Sequence, residues 1–235
     1  MSALNRLDSP GNLKRLSAAE LEELAEDIRR LITHTVSKNG GHLASNLGVV
    51  ELAIALHLVY DAGEDVLIWD TGHQSYAHKI LTGRKDAFHT LRKEGGISGF
   101  PRTEESRMDW FNTGHSGTAL SAGLGFAKAR DLKGERHKVV VVAGDSSMTE
   151  GMALEALNNG GHSGTDITLV INDNEMAISP AVGSFSVYYN KIISGNFYDR
   201  IKDRVKRVLN SVPAPFGQPA FRVAKLVDEG IKSLI

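Results

Sequence analysis

Two polar segments that follow apolar runs in the middle of the chain contain residues suited to binding a cation. Asp145 comes directly after the run that ends in Ala143 and Gly144, and Asn174 follows a second apolar run. A carboxylate and an amide oxygen at the ends of parallel strands are ligands that Mg²⁺ accepts together with diphosphate oxygens. An Asp after a strand is more often a helix cap or a turn residue, so the prediction of a diphosphate-anchored metal site depends on the pairing with Asn174.

A third polar cluster of the same kind contains His73. It follows the β-type run of residues 66–69, as Asp145 and Asn174 follow theirs. In open parallel sheets, the ligand crevice lies at the carboxyl ends of the strands. Polar clusters after three predicted strands therefore indicate one binding crevice at that edge of a sheet.

Hydrophobic periodicity and helix-cap signals predict the elements that must position these residues. Helices are expected over residues 18–36, 49–60, 118–130, 149–159, 198–209 and 221–234, strands over 66–69, 138–143 and 167–171, and irregular chain over 95–118 and 180–195. The last two strands and the helix between them form a βαβ unit, whose strands should be parallel. The predicted fold class is α/β, with a parallel sheet between helices on both faces.

Composition and charge exclude several classes of function. A chain of 235 residues suits one large domain, and its net charge of -1 gives no general attraction to nucleic acid or anionic membranes. The absence of cysteine excludes disulfides and thiolate metal sites. No signal peptide or transmembrane run is seen, so a cytoplasmic protein is expected. A dinucleotide-binding domain is disfavoured because no Gly-x-Gly-x-x-Gly follows a predicted strand.

Six motifs in a fixed order give the chain a family resemblance. They are residues 40–48, 70–74, 78–84, 114–116, 144–145 and 172–176. With these motifs the chain resembles the N-terminal part of the 1-deoxy-D-xylulose-5-phosphate synthases, which are transketolase-like thiamine diphosphate enzymes. The resemblance implies a three-layer, transketolase-like domain over residues 1–235 that binds the cofactor diphosphate, and a chain truncated at its C-terminus relative to the family.

The resemblance also implies the residues of the site. It assigns Mg²⁺ to the side chains of Asp145 and Asn174 and the backbone carbonyl of Met176. Cofactor contacts are implied for His73, Gly114, His115, Ser116, Ser146, Ser147 and Asn174, and catalytic proton transfer for His42, His73 and His115. An imidazole suits that role because it titrates near neutral pH. The backbone N–H groups of Ser146 and Ser147, with the helix expected near Thr149, would face the diphosphate, since helix N-termini attract anions.

Ser146 departs from the family motif, which is Gly-Asp-Gly. Glycine tolerates a positive φ that other residues avoid. If the turn requires left-handed geometry, serine costs about 1 to 2 kcal/mol and weakens cofactor binding. Five basic residues near the expected crevice are interpreted as a solvated face, without a role in binding substrate phosphate: Lys79, Arg84, Arg92, Lys93 and Arg102.

The activity implied by the resemblance is the condensation of pyruvate with glyceraldehyde 3-phosphate to 1-deoxy-D-xylulose 5-phosphate. Carbon dioxide is lost, and the product serves isoprenoid and thiamine biosynthesis. Family members continue into a pyrimidine-binding domain that carries an activating glutamate. We therefore expect a transferase that is inactive alone and works as a homodimer or with a separate pyrimidine-domain chain. No nucleic-acid or membrane partner is expected.

Two other interpretations remain open from the sequence. In the first, the chain is a degenerate, non-catalytic paralogue that serves as a cofactor-binding or interaction module. In the second, it is the N-terminal subunit of a split transketolase-like enzyme with another substrate. Ser146 and the lack of a matching glutamate favour the first of these.

Overall fold

The computed structural model describes residues 3–6 and 10–172, which belong to one compact unit ending at Asp173. The α-helices are α1 (Ala18–Asn39), α2 (Ala44–Leu47), α3 (Val50–Val59), α4 (Tyr76–Lys79), α5 (Ala119–Lys133) and α6 (Gly151–Ser163). The strands are β1 (Val66–Trp69), β2 (Val139–Gly144) and β3 (Thr168–Asn172). Short 3₁₀ turns cover Ala3–Arg6, Pro10–Arg15, Phe88–Thr90 and Ser146–Thr149, and a π-helical turn covers Ile80–Arg84. The predictions for Asn174, Met176 and residues 180–234 lie outside the described residues.

The three strands form a parallel sheet in the order β1-β2-β3. Trp69 is paired with Val142, and Gly144 is paired with Asn172. The parallel βαβ unit made by β2, α6 and β3 confirms the prediction from the sequence. Because the strands are parallel and adjacent, their carboxyl ends meet at one edge of the sheet.

Residues of β1 and β2 alternate between two apolar clusters. Leu67, Trp69, Val140 and Val142 pack with α1 and α3, whereas Val66, Ile68, Val139 and Val141 pack with α5 and α6. Successive side chains of a strand point to opposite faces of the sheet, so each strand contributes to both clusters. The α/β class is as predicted, with buried strands that read as continuous apolar runs.

Helix α1 begins with the capping box that the sequence predicts. The Ser17 hydroxyl accepts a hydrogen bond from the Glu20 backbone N–H, and the Glu20 carboxylate accepts one from the Ser17 backbone N–H at 2.8 Å. The hydrogen bonds that the Ser17 backbone N–H and hydroxyl donate to the Glu20 carboxylate, together with the Arg6 guanidinium, lower the pKa of Glu20 to about 2. The helix ends at Asn39, and Gly40 closes it at a φ of 75°, which confirms the end that the sequence predicts near residues 39–41.

Helix α5 packs closely on β2 because it contains small residues. A Cβ atom at Gly123 would lie 2.5 Å from Cγ2 of Val141, so only glycine permits this approach. The helix predicted to begin near Thr149 begins instead at Gly151, because Glu150 is extended and separates α6 from the 3₁₀ turn Ser146–Thr149. Among the described helices, none is long and apolar enough to cross a membrane.

Candidate functional site

The carboxyl edge of the sheet brings together the segments that follow β1 and β2. The Asp70 backbone N–H donates to the Val142 carbonyl at 2.7 Å, and the Asp145 backbone N–H donates to the Asn172 carbonyl at 3.2 Å. The segments after β1 and β2 are therefore fixed to the neighbouring strand. Asp70 and Asp145 leave the sheet at the same edge.

A buried carboxylate, Asp70, connects this edge to α5. Its Oδ2 accepts from the Gly117 backbone N–H and its Oδ1 from the Ala119 backbone N–H, both at 2.9 Å. Asp70 is 2% exposed, and the N-cap residue Thr118 makes no capping bond with its own side chain. Asp70, directly after β1, thus caps α5 and holds the turn that precedes the helix. The sequence motifs predict no role for Asp70, although its place directly after a strand is a signal.

The imidazoles of His42 and His73 lie together, with ring centroids 5.5 Å apart in a T-shaped contact. Asn46 is fully buried and holds both loops: its Nδ2 donates to the carbonyls of His42 at 2.6 Å and His73 at 2.7 Å. Its Oδ1 accepts from the Tyr76 backbone N–H at 2.9 Å. One side chain therefore fixes the backbone on both sides of the histidine pair.

Both histidines of the pair are neutral near pH 7. Burial, followed by the charge of Arg92, lowers the pKa of His42, and burial, followed by His42, lowers the pKa of His73. The Nδ1 atom of His73 is buried and has no hydrogen-bond partner among the described residues. A buried polar atom without a partner is costly, so a ligand that bonds to it gains affinity.

The turn that contains Gly114, His115 and Ser116 lies against the segment after β2. The Ser116 hydroxyl donates to the Ser147 hydroxyl oxygen at 3.2 Å. Gly117 has a φ of 78°, and a Cβ there would lie 2.6 Å from the Glu150 Cβ. His115 is exposed, and its carbonyl accepts from the Thr118 hydroxyl. The structure therefore brings Ser116 to Ser147, and it brings His42 to His73.

Ser146 does not have the left-handed backbone considered from the sequence. It opens the 3₁₀ turn Ser146–Thr149, and the described residues other than glycine have a positive φ only at Thr71 and Arg92. The condition for a strain penalty at Ser146 is not met. Backbone strain lies instead at Thr71, the residue after Asp70, which has a φ of 59°.

The interpretation of the five basic residues as a solvated face is wrong for two of them. Lys79 and Arg84 are buried and pair with Glu105 and Asp109. A sequence pattern does not show this because the partners lie in the irregular stretch of residues 95–118. Arg92, Lys93 and Arg102 are exposed and line an open cavity of about 480 Å³.

The predicted metal ligands fall only in part within the described residues. Asp145 follows β2 as expected, whereas Asn174 and Met176 lie beyond residue 172. Within residues 3–6 and 10–172, no group of three His, Asp or Glu side chains is placed to hold a metal ion. The Mg²⁺ site therefore stays a prediction that rests on Asp145 and two residues outside this range.

Comparison with known proteins gives consistent matches over almost the whole chain. The family model described as 1-deoxy-D-xylulose-5-phosphate synthase matches residues 4–235. A synthase of that name from Syntrophomonas wolfei is 52% identical over 232 residues, and one from Heliobacterium modesticaldum is 51% identical over 232 residues. In Geobacter sulfurreducens, 1-deoxy-D-xylulose-5-phosphate synthase 1 is 50% identical over 232 residues. Each match covers 99% of this chain but only 36% of the relative's length.

Proposed function

Because the chain belongs to the 1-deoxy-D-xylulose-5-phosphate synthase family, we propose that it binds the diphosphate half of thiamine diphosphate in such a synthase. The reaction is the condensation of pyruvate with glyceraldehyde 3-phosphate to 1-deoxy-D-xylulose 5-phosphate, with loss of carbon dioxide. Its product would supply isoprenoid and thiamine biosynthesis. The observation that carries the proposal is the meeting of the His42–His73 pair, the Ser116–Ser147 contact and Asp145 at the carboxyl edge of one parallel sheet.

The residues at this edge fit a phosphorylated cofactor. The hydroxyls of Ser116 and Ser147 are in contact, and the buried Nδ1 of His73 has no partner among the described residues. We assign the diphosphate to Gly114, Ser116, Ser146 and Ser147, and Mg²⁺ to Asp145 with Asn174 and the Met176 carbonyl. When bound, the thiazolium ring supplies the nucleophilic carbon and accepts electrons when carbon dioxide leaves.

The histidines provide proton transfer around the substrates. His42 and His73 are neutral near pH 7, so each imidazole offers one donor and one acceptor nitrogen. A neutral imidazole can take a proton from a substrate hydroxyl and return it to a carbonyl oxygen. His115 is the third histidine of the proposal and lies on the exposed turn before α5.

The architecture of the whole enzyme is part of the same proposal. Residues 1–235 form a three-layer, transketolase-like domain, and the chain spans 36% of the length of its relatives. Activity then depends on a pyrimidine-binding domain, supplied within a homodimer or by another chain. The proposed substrates are pyruvate and glyceraldehyde 3-phosphate.

Calorimetric titration of the 235-residue chain with thiamine diphosphate, with and without Mg²⁺, tests the binding half of the proposal. Mg²⁺ should strengthen binding at least about tenfold, and Asp145→Asn should remove that gain. Asp86→Asn, which changes an exposed carboxylate away from the sheet edge, is the matched control and should bind as the unmodified chain does. Absence of binding at millimolar cofactor, in the presence of Mg²⁺, would contradict the proposal.

A complementation assay tests the catalytic half. The chain is mixed with the part of the Syntrophomonas wolfei relative that lies beyond the matched region, and carbon dioxide release from pyruvate is measured. The proposal expects release that requires both proteins, cofactor and Mg²⁺. Cofactor binding without release, when the two proteins are shown to associate, would favour a non-catalytic cofactor-binding module.

A further inference from the structure

A short segment beside the histidine pair is held at both ends by carboxylates. The Ser98 backbone N–H donates to Oε1 of Glu105 at 2.6 Å, and the Arg102 backbone N–H donates to Oδ2 of Asp109 at 2.8 Å. Hydrogen bonds to ionised acceptors are shorter and stronger than bonds between neutral groups. The chain between Ser98 and Arg102 is thereby fixed at two points.

The residues between these points contact both loops of the histidine pair. The Phe100 ring makes a T-shaped contact with the His42 ring at a centroid distance of 6.1 Å. Pro101 lies so close to Gly72, the residue before His73, that a Cβ at Gly72 would be 2.4 Å from the Pro101 Cδ. The segment therefore packs against His42 on one side and against the His73 loop on the other.

Buried cations hold the two carboxylates in place. Lys79 donates to Oε2 of Glu105, and Arg84 donates two hydrogen bonds to Asp109, at 2.6 and 2.8 Å. Burial acts to raise the pKa of Asp109, but hydrogen bonds from His78 and Arg84 outweigh it and keep that pKa below its ordinary value. Both cations and Asp109 are buried and Glu105 is partly buried, so two positive charges balance two negative charges.

Two buried histidines extend this cluster and have determined tautomers. The Asp109 carboxylate only accepts, so Nε2 of His78 carries the proton that bridges their 3.0 Å contact. Burial lowers the pKa of both His78 and His57, so both are neutral near pH 7. Nδ1 of His78 must then accept from Nε2 of His57 at 2.9 Å. The chain of hydrogen bonds orients Asp109 toward Arg84 and the Arg102 backbone.

We propose that Glu105 and Asp109 are positioning residues that act through the backbone of Ser98 and Arg102 to hold Phe100 and Pro101 against the His42–His73 pair. Buried ion pairs are a weak source of stability, and fixing one conformation is an alternative role for them. Both tethers here end on the segment that contacts the site. The catalytic value of this restraint rests on the proposed function, whereas the restraint itself does not.

Nuclear magnetic resonance of the 235-residue chain without cofactor tests the inference with two variants of equal charge. Glu105→Asp shortens the side chain that connects Lys79 to Ser98, whereas Glu104→Asp shortens its exposed neighbour, which makes no bond to the segment of residues 98–102. Arg92 acts on the pKa of His42, and His42 and Asp70 act on the pKa of His73; neither variant alters these groups. The readouts are the nuclear Overhauser effect between the Phe100 and His42 rings and the pKa of His42.

We expect the Phe100–His42 effect to weaken at least twofold in Glu105→Asp and to stay unchanged in Glu104→Asp. Solvation of His42 should raise its pKa toward the ordinary value in Glu105→Asp only, because burial is the largest cause that lowers it. A Glu105→Asp chain that is less stable but has the same ring contact and the same His42 pKa would overturn the inference, since it would show a structural role alone.

Hydrogen exchange in the unmodified chain decides the matter if Glu105→Asp does not fold. The amides of Ser98 and Arg102 should exchange at least about tenfold more slowly than the amide of Thr103, which is held by the exposed side chain of Asn112. Equal exchange rates would overturn the inference. Neither readout uses thiamine diphosphate or activity, so failure here is distinguishable from failure of the proposed function.

Discussion

The two halves of the candidate site are built differently. At the end of β1, buried side chains fix the backbone: Asn46 holds the loops of His42 and His73, and Asp70 caps α5. At the end of β2, a short 3₁₀ turn and a contact between the hydroxyls of Ser116 and Ser147 arrange the chain. The difference indicates that the histidine half is positioned by the core of the protein, whereas the half that we propose binds the diphosphate is built from turns. Substitutions in the two halves should therefore differ in their effect on stability.

The largest effect is expected from removing the carboxylate at the end of β1. Asp70→Ala leaves the buried N–H groups of Gly117 and Ala119 without an acceptor, which should lower the free energy of unfolding by about 3 kcal/mol. Urea unfolding measures this change. Asp86→Ala, at an exposed position, should change it by less than about 0.5 kcal/mol. Equal effects of the two substitutions would show that Asp70 does not anchor α5.

The second effect concerns the side chain that joins the histidine loops. Asn46→Ala removes three hydrogen bonds in the core and should lower the free energy of unfolding by about 2 kcal/mol. It should also weaken cofactor binding, because the backbone of His73 loses its partner. Asn112→Ala, whose bonds are exposed, is the control for both measurements. Unchanged spacing of His42 and His73 in a crystal structure of Asn46→Ala would contradict this account.

The third effect is a pH dependence from the buried histidines. Burial lowers the pKa of His57 and His78, so the unfolded chain binds more protons than the folded chain below about pH 6.5. The contribution of the two histidines to the free energy of unfolding is fully present above that pH. It is lost as the pH falls toward their folded-state pKa values, at a slope of up to about 1.4 kcal/mol per pH unit for each histidine.

His57→Gln should reduce this slope, since one of the titrating groups is removed. Urea unfolding at pH 7.0 and pH 5.5 compares the variant with the unmodified chain. His137→Gln changes a less buried histidine outside the His57–His78 pair and serves as the control. Equal slopes in His57→Gln and the unmodified chain would exclude His57 as a source of the pH dependence.

The smallest effect is expected at the turn after β2. Ser146→Gly should lower the free energy of unfolding slightly, by at most about 1 kcal/mol, because glycine loses more backbone freedom on folding. A strained left-handed serine would give the opposite sign, with a gain of about 1 to 2 kcal/mol in Ser146→Gly. Urea unfolding therefore distinguishes the two backbone conformations.

Local sequence patterns predicted much of the fold. The strand of residues 66–69, the parallel βαβ unit and the capping box of α1 depend on neighbouring residues, and the structure confirms them. The start of α6 was predicted less accurately, because a 3₁₀ turn and the extended Glu150, which lies beside Gly117, precede the helix.

Long-range contacts in the site were not predictable in the same way. Asp70 and Gly117 are 47 positions apart, and Lys79 and Glu105 are 26 apart, so no periodicity connects them. Their contacts arise because β1 lies beside β2 and the irregular chain folds back over α4. The sequence identified His42 and His73 by family motif, but it did not indicate that Asn46 holds them together or that Lys79 and Arg84 are buried.

Paramagnetic relaxation tests the central claim, which is that a metal and the cofactor diphosphate bind at the carboxyl edge beside Asp145. Mn²⁺ replaces Mg²⁺ at oxygen ligands and broadens the amide signals of nearby residues. With Mn²⁺ and thiamine diphosphate together, the amides of Asp145, Ser147 and Ser116 should broaden. Gly134 lies at the far end of α5, a helix about 22 Å long, and its amide should broaden much less. Broadening centred on any other part of the chain, or none at all with both ligands present, would contradict the account.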